Sequence, residues 1–94
     1  MRVRWLRDAL RNLDEEAEYI ARDNPDAAAR TVLRISSAVE QLSNHPASGR
    51  TGRVPGTCEL VVTGTPYIVP YRVRGDAVEI LRVFHAARKW PDEL

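Results

Sequence analysis

The chain has 94 residues, a length that makes one domain, residues 1–94, with a small core. Apolar residues make up 44% of it and charged residues 29%, a globular composition that excludes intrinsic disorder. The single cysteine, Cys58, excludes an internal disulfide, and no apolar run approaches the roughly 20 residues that span a bilayer. We therefore expect a cytoplasmic protein with no membrane association.

Val3 to Trp5 can form a short strand, and two helical stretches follow it. Apolar residues recur at four- and three-residue intervals in both stretches, which places them on one stripe of each helix. The stripes are Leu6, Leu10, Leu13, Ala17 and Ile20, then Ala28, Val32, Ile35, Val39 and Leu42. Asn24-Pro25 ends the first helix and starts the second, because a residue before proline avoids the α region while asparagine caps well. This short connection predicts an antiparallel helix hairpin.

After a loop at residues 44–56, the period changes to two. Residues 59–63, 67–74 and 77–85 are predicted to be strands, joined by turns at Gly64-Thr65-Pro66 and at Gly75-Asp76. The predicted fold is α+β, with the order β-α-α-β-β-β. Its helix hairpin packs on one face of a small, mainly antiparallel sheet.

The turn at Gly75-Asp76 sets the register of the last two strands. It places Arg72 opposite Glu79 as an ion pair on the outer face of the sheet. Alternation predicts an inner face of Tyr67, Val69, Tyr71, Val73, Val78, Ile80, Arg82 and Phe84. Arg82 is a misfit there, so its charge must be paired, lie at the rim or be moved by a bulge. Pro70 cannot donate to a ladder, and it marks a bulge or an amide that points away from the partner strand.

Positive charge is concentrated in the second half of the chain. Residues 1–49 hold seven arginines against eight acidic residues. Residues 50–90 hold seven basic residues against three acidic ones, which leaves a net charge of +4. An anionic partner would dock on this half. Compositional bias is the alternative explanation, since the chain contains thirteen arginines and one lysine.

Several segments, in this order along the chain, resemble the RelE/ParE toxin superfamily of type II toxin–antitoxin systems, and the ParE branch most closely. They are Asn24-Pro25, Leu42 with His45-Pro46, and residues 49–53, 56–61, 66–73 and 78–91. The resemblance implies a RelE/ParE-like fold and a toxin that a neighbouring antitoxin holds harmless in a hetero-oligomer. The ParE branch is associated with poisoning of DNA gyrase and with plasmid stabilisation, and the RelE branch with mRNA cleavage on the ribosome.

The residues favour the ParE branch over a nuclease. Metal-independent RNA cleavage needs a base, an acid and cations that stabilise the phosphorane. For a RelE-type nuclease, the resemblance implies a basic groove of several lysines and arginines, often with a tyrosine near the C-terminus. Here Lys89 is the sole lysine, and residues 86–94 contain no tyrosine. His85, with Arg82 and Arg88 three residues to either side, is the alternative catalytic set. Otherwise His85 closes the last strand as a structural residue.

We therefore predict a binding toxin with no catalytic residue, metal or cofactor of its own. The candidate contacts to the target are Arg50, Arg53, Arg88, Lys89 and Trp90, because arginine and tryptophan dominate interface energetics. Trp90 could instead pack the tail against the sheet.

A second set of residues is predicted to contact a ParD-like antitoxin. These candidates are Arg72, Arg74, Arg82 and Ile68, near apolar grooves at the edges of the hairpin and sheet, which suit an acidic amphipathic segment. A third reading is an interaction module without toxicity.

Overall fold

Two helices form the antiparallel hairpin that the apolar spacing predicts. A computed structural model describes residues 1–94 of the chain. Helix α1 spans Arg7–Ala21 and helix α2 spans Pro25–Glu40, followed by a 3₁₀ turn at Gln41–Ser43. Asn24 caps α2, since its Oδ1 accepts a hydrogen bond from the Ala27 N–H at 3.0 Å. Neither helix combines the length and apolar character that a bilayer-spanning segment needs.

One mixed sheet of six strands covers the helix hairpin. The strands are β1 Arg2–Trp5, β2 Arg50–Thr51, β3 Cys58–Val61, β4 Tyr67–Arg74, β5 Ala77–Ile80 and β6 Phe84–His85. Their order across the sheet is β1-β5-β4-β3-β2, and β6 also pairs with β4. Strand β1 runs parallel to β5, while the other pairings are antiparallel. The predicted α+β class and the packing of the helix hairpin on the sheet are confirmed.

Two predicted boundaries need correction. The loop at residues 44–56 contains the two-residue strand β2, which adds a strand at the sheet edge. Strand β3 covers Cys58–Val61 rather than residues 59–63, because the chain turns toward β4 immediately afterwards: the Val62 N–H bonds to the Tyr67 carbonyl.

The prediction of one continuous strand over residues 77–85 is wrong. Tyr71 pairs with Ile80 but Ile68 pairs with Phe84, so residues 81–83 oppose only two residues of β4. This extra residue is a β-bulge. Because side chains alternate between faces, it brings Val83 into the core where Arg82 and Phe84 were predicted.

Arg82 and Pro70 both fit the bulge. The bulge moves Arg82 away from its predicted place on the inner face of the sheet. Its Nη2 lies 3.4 Å from the Asp8 Oδ2 at the start of α1, so the charge is also paired. The Pro70 carbonyl accepts a hydrogen bond from the Leu81 N–H at 3.0 Å. Since the nitrogen and carbonyl of a strand residue face the same neighbour, the missing N–H of Pro70 falls beside the bulge, as predicted.

The core lies between the helix stripes and the inner face of the sheet. Its fully buried members are Ala9, Ile35, Val39, Leu42, Val62, Tyr67, Val69, Tyr71, Val78, Ile80 and Val83. Val73 does not belong to it, contrary to the alternation, because the helices leave the turn end of the β4–β5 hairpin uncovered and 46% of Val73 is exposed. Leu10 of the first stripe is likewise 48% exposed.

Candidate interaction surfaces

Two buried glutamates organise the arginines on the outer face of the sheet. Glu59 is 2% exposed and binds both Arg50 and Arg53. The Arg50 Nη2 lies 3.0 Å from Oε1, the Arg53 Nε lies 3.1 Å from Oε2, and the Arg53 backbone N–H donates to Oε2 at 2.9 Å. These bonds fix a loop to the edge of the sheet, so both guanidinium groups have defined positions.

Glu79 likewise binds several arginines, at the other side of this face. Its Oε1 accepts a hydrogen bond from the Arg72 Nε at 2.7 Å, which confirms the predicted pairing. Arg74 Nε lies 3.8 Å from Oε1, and Arg4 Nη1 lies 3.6 Å from Oε2.

We call this set of five arginines, Arg4, Arg50, Arg53, Arg72 and Arg74, the arginine face. Two carboxylates serve five guanidinium groups, so the face keeps a net charge of five minus two, or +3. The carboxylates lie underneath, while the arginine side chains are between 34% and 66% exposed. The surface is therefore positive toward a partner even though each arginine is paired.

The arginines depress the pKa values of both glutamates. Burial alone would raise the pKa of Glu59, but hydrogen bonds from the Arg53 backbone and from the Arg50 and Arg53 side chains outweigh it, and the pKa lies below its ordinary value. For Glu79, the hydrogen bond from Arg72 outweighs burial and lowers the pKa.

Acid is therefore expected to destabilise the fold. A carboxyl whose pKa is lower in the folded state contributes stability that is fully present above its unfolded value, ordinarily 4.5, and lost as the pH falls through the folded value. Urea unfolding should show a falling free energy of unfolding between neutral pH and about pH 3. Glu59→Gln, which cannot titrate, should give a shallower pH dependence, and an equal slope in both proteins would contradict this origin.

The C-terminal tail folds back onto the outer face. Trp90 is 8% exposed, its ring centroid lies 4.7 Å from that of Phe84, and the Arg53 Cζ lies 3.6 Å from the Trp90 ring centroid. Ile68 is also buried, at 6% exposure. Trp90 and Ile68 thus present little surface to a partner in this structure, whereas Lys89 remains exposed.

A second anchor ties the tail to α1. The Tyr67 hydroxyl donates to the Glu16 Oε1 at 3.0 Å, and the Arg88 guanidinium binds the Glu16 Oε2. Burial, followed by the hydrogen bond to Glu16, raises the pKa of Tyr67 to about 12. Glu16 is not among the contact residues predicted from the sequence, where its one signal is its position beside Ala17 at the margin of the apolar stripe.

His85 lies at an open cleft of about 260 Å³ between α1 and the tail. Its Nδ1 accepts a hydrogen bond from the Ala87 N–H at 3.2 Å, which places the proton of the neutral ring on Nε2. The two cations of the alternative catalytic set are both bound to carboxylates, Arg82 to Asp8 and Arg88 to Glu16. A carboxylate therefore offsets the charge of each guanidinium in the set, which weakens the stabilisation that either could give a phosphorane.

An apolar groove opens between α1 and α2 near the turn that joins them. It is shallow and open, with a volume of about 580 Å³, and its lining is apolar except for Glu18: Ala17, Glu18, Ala21, Ala28, Ala29, Val32 and Leu33. The alanines leave room for another chain to approach closely, and Leu33 stands 67% exposed beside them.

A helix hairpin packed on one face of a mixed sheet defines the class of the protein, and known proteins share this fold. A family model described as the ParE toxin of type II toxin–antitoxin system, parDE, matches residues 3–90. A Sinorhizobium fredii protein named as a toxin, Y4kP, is 56% identical over 93 residues, which cover 99% of this chain and 96% of that one. Toxin RelE2 of Caulobacter vibrioides is 36% identical over 86 residues, 92% of this chain and 96% of that one.

A solved structure has the same fold. The chromosomal ParDE toxin–antitoxin system from P. aeruginosa contains a chain that matches with a TM-score of 0.81 and 31% identity, over 90% of this chain and 95% of that chain. This chain belongs to the ParE toxin family of type II toxin–antitoxin systems. The resemblance in the sequence segments is thereby confirmed.

Proposed function

We propose that this toxin inhibits DNA gyrase by binding it through the arginine face, without chemistry of its own, and that a ParD-like antitoxin neutralises it. One observation carries the proposal: the way carboxylates are distributed among the arginines. On the outer face two buried glutamates hold five arginines and leave surplus positive charge. Around His85, by contrast, the charges balance: Arg11, Arg82 and Arg88 face Asp8, Glu15 and Glu16, and Asp8 is shared between Arg11 and Arg82. The surplus positive charge of the first arrangement suits binding of an anionic macromolecular complex. The balanced charge of the second suits a structural role.

The part of the arginine face beside the tail is the preferred contact. Arg50 and Arg53 are held by Glu59, and Arg53 is stacked on Trp90, so little side-chain entropy is lost when a partner binds. Trp90 acts here through Arg53 rather than as an exposed anchor. Lys89 and Arg88 extend the positive surface along the tail.

Gyrase inhibition can be tested with three variants of the full chain. Purified toxin incubated with gyrase and supercoiled DNA is expected to trap cleaved DNA, and His85→Ala should do so equally well. Replacing Arg50, Arg53 and Glu59 together by glutamine should weaken trapping about tenfold or more, and it leaves no buried carboxylate unpaired. The comparison variant replaces Arg72, Arg74 and Glu79 by glutamine, which removes the same net charge from the other side of the face, and it should weaken trapping less.

A RelE-like endoribonuclease is the second candidate. It is favoured by the free Nε2 of His85 at an open cleft and by the likeness to Toxin RelE2. Cleavage of ribosome-bound mRNA that His85→Ala abolishes would replace the gyrase proposal. A chain that neither arrests growth nor acts in either assay would instead be an inactive interaction module.

The apolar groove supports an antitoxin as partner. An amphipathic segment would place its apolar side chains against Ala28, Val32 and Leu33. Arg72 and Arg74 lie on the outer face of the sheet, so a segment that contacts them as well as the groove must wrap around the domain. Co-expression of the neighbouring small gene should rescue growth that this toxin arrests.

A further inference from the structure

The geometry points to a phosphate-binding pocket formed by Arg30 and Arg34 of α2 against the turn at Gly64-Thr65. The pocket encloses about 210 Å³ and is lined by Ala27, Arg30, Thr31, Arg34, Gly64 and Thr65. The inference is independent of the gyrase proposal, because it concerns another face of the domain.

Unpaired charge is the first argument for this pocket. Nine arginines lie within 4.0 Å of a carboxylate oxygen, namely Arg2, Arg4, Arg11, Arg50, Arg53, Arg72, Arg74, Arg82 and Arg88. Arg30 and Arg34 have no such partner, and the pocket lining contains no acidic residue. Two guanidinium groups one helical turn apart repel each other, so an oxyanion between them would relieve the repulsion.

The turn is shaped to receive Arg34. Gly64 has a φ of +81°, and a Cβ added there would lie 2.2 Å from the Arg34 Nη1. The same nitrogen lies 3.4 Å from the Thr63 carbonyl oxygen, to which it donates. The guanidinium is therefore laid against the turn by the absence of a side chain at Gly64, which leaves its remaining N–H groups available to a ligand.

The chemistry of the lining selects phosphate. Planar guanidinium groups bind oxyanions through paired N–H donors, and phosphate offers enough oxygens and charge for two of them. Thr31 adds a hydroxyl, whereas the Thr65 hydroxyl already donates to the Val62 carbonyl at 2.9 Å. The phosphate could belong to a nucleic-acid backbone or be free in solution, since both present the same oxygens.

The pocket and the apolar groove lie on opposite sides of α2. Positions 28, 29, 32 and 33 line the groove, while positions 27, 30, 31 and 34 line the pocket. At 3.6 residues per turn these two sets point in opposite directions. A helix docked in the groove would thus leave the phosphate pocket open.

An NMR titration tests the pocket. The full ¹⁵N-labelled chain, made by cell-free synthesis, is titrated with inorganic phosphate and separately with a short DNA duplex at constant ionic strength. We expect saturable shifts of the Gly64 and Thr65 amides, and Arg34→Gln should weaken the affinity about tenfold or more. Arg7→Gln removes an exposed charge that also has no carboxylate partner from α1, and it should leave the affinity unchanged.

The outcomes separate the sources of the phosphate. Saturation by the duplex alone, or at a lower phosphate concentration than inorganic phosphate needs, identifies a backbone phosphate. Saturation by inorganic phosphate alone, or at the lower concentration, identifies a free one. The inference is overturned if neither probe shifts Gly64 and Thr65. It is also overturned if Arg7→Gln weakens binding as much as Arg34→Gln, because the attraction is then general charge rather than this pocket.

Discussion

Leu33→Glu is expected to weaken antitoxin binding about a hundredfold while the toxin stays folded and toxic. Leu33 is 67% exposed at the mouth of the apolar groove, so the substitution costs the free toxin little. On docking, however, the new carboxylate would be buried without a partner and would repel an acidic segment. Calorimetric titration with the protein encoded by the neighbouring gene measures the loss.

Leu10→Glu is the matched control for this prediction. Leu10 is a half-exposed leucine on α1 that does not line the groove. The Leu10→Glu variant should still bind the antitoxin, and co-expression of the antitoxin should still rescue growth. Equal losses in the two variants would mean that the antitoxin docks elsewhere on the helices, or that added negative charge alone weakens the complex.

Glu16→Ala is expected to have the largest effect on stability, lowering the free energy of unfolding by about 2–4 kcal/mol. The side chain is buried and accepts hydrogen bonds from both the Tyr67 hydroxyl and the Arg88 guanidinium. Removing it strands the Tyr67 hydroxyl in the core and releases the tail from α1. Urea unfolding gives the loss, and hydrogen exchange at the Arg88 amide, which bonds to the His85 carbonyl, reports release of the tail.

Two variants separate the contributions to this network. Glu15→Ala removes the adjacent, exposed glutamate, whose carboxylate lies 3.9 Å from the Arg11 Nε, and should cost less than about 0.5 kcal/mol. Tyr67→Phe removes one hydrogen bond and keeps the ring, and should cost about 1 kcal/mol. If Glu15→Ala and Glu16→Ala prove equally mild, the buried network does not anchor the tail.

Local signals account for most of the fold that the sequence predicts. The Asn24-Pro25 cap, the apolar stripes and the Gly75-Asp76 turn each depend on residues within a few positions of one another, and each is present in the structure. The same turn gives the Arg72–Glu79 pair, because register propagates from a tight turn. The bulge at residues 81–83 interrupts this register. Its one signal in the sequence is Arg82, a charged residue at a predicted inner-face position.

The candidate site was less predictable because its contacts join distant segments. Glu59 gathers Arg50 and Arg53 from a loop, and nothing in their spacing distinguishes this carboxylate from an exposed one. The pocket at Arg34 depends on Gly64, thirty residues later, which the sequence shows only as a turn residue. Periodicity describes one element at a time, whereas a surface is made where several elements meet.

The parallel pairing of β1 with β5 delays completion of the fold during synthesis. Arg2 leaves the ribosome well before its partner Ala77, which lies 75 residues later in the chain. Until β4 and β5 emerge, β1 and both helices lack the central strands against which they pack, and contacts this distant in sequence form slowly. A chain that ends before β4 lacks its central strands and part of the arginine face, and we therefore expect it to have no toxic activity.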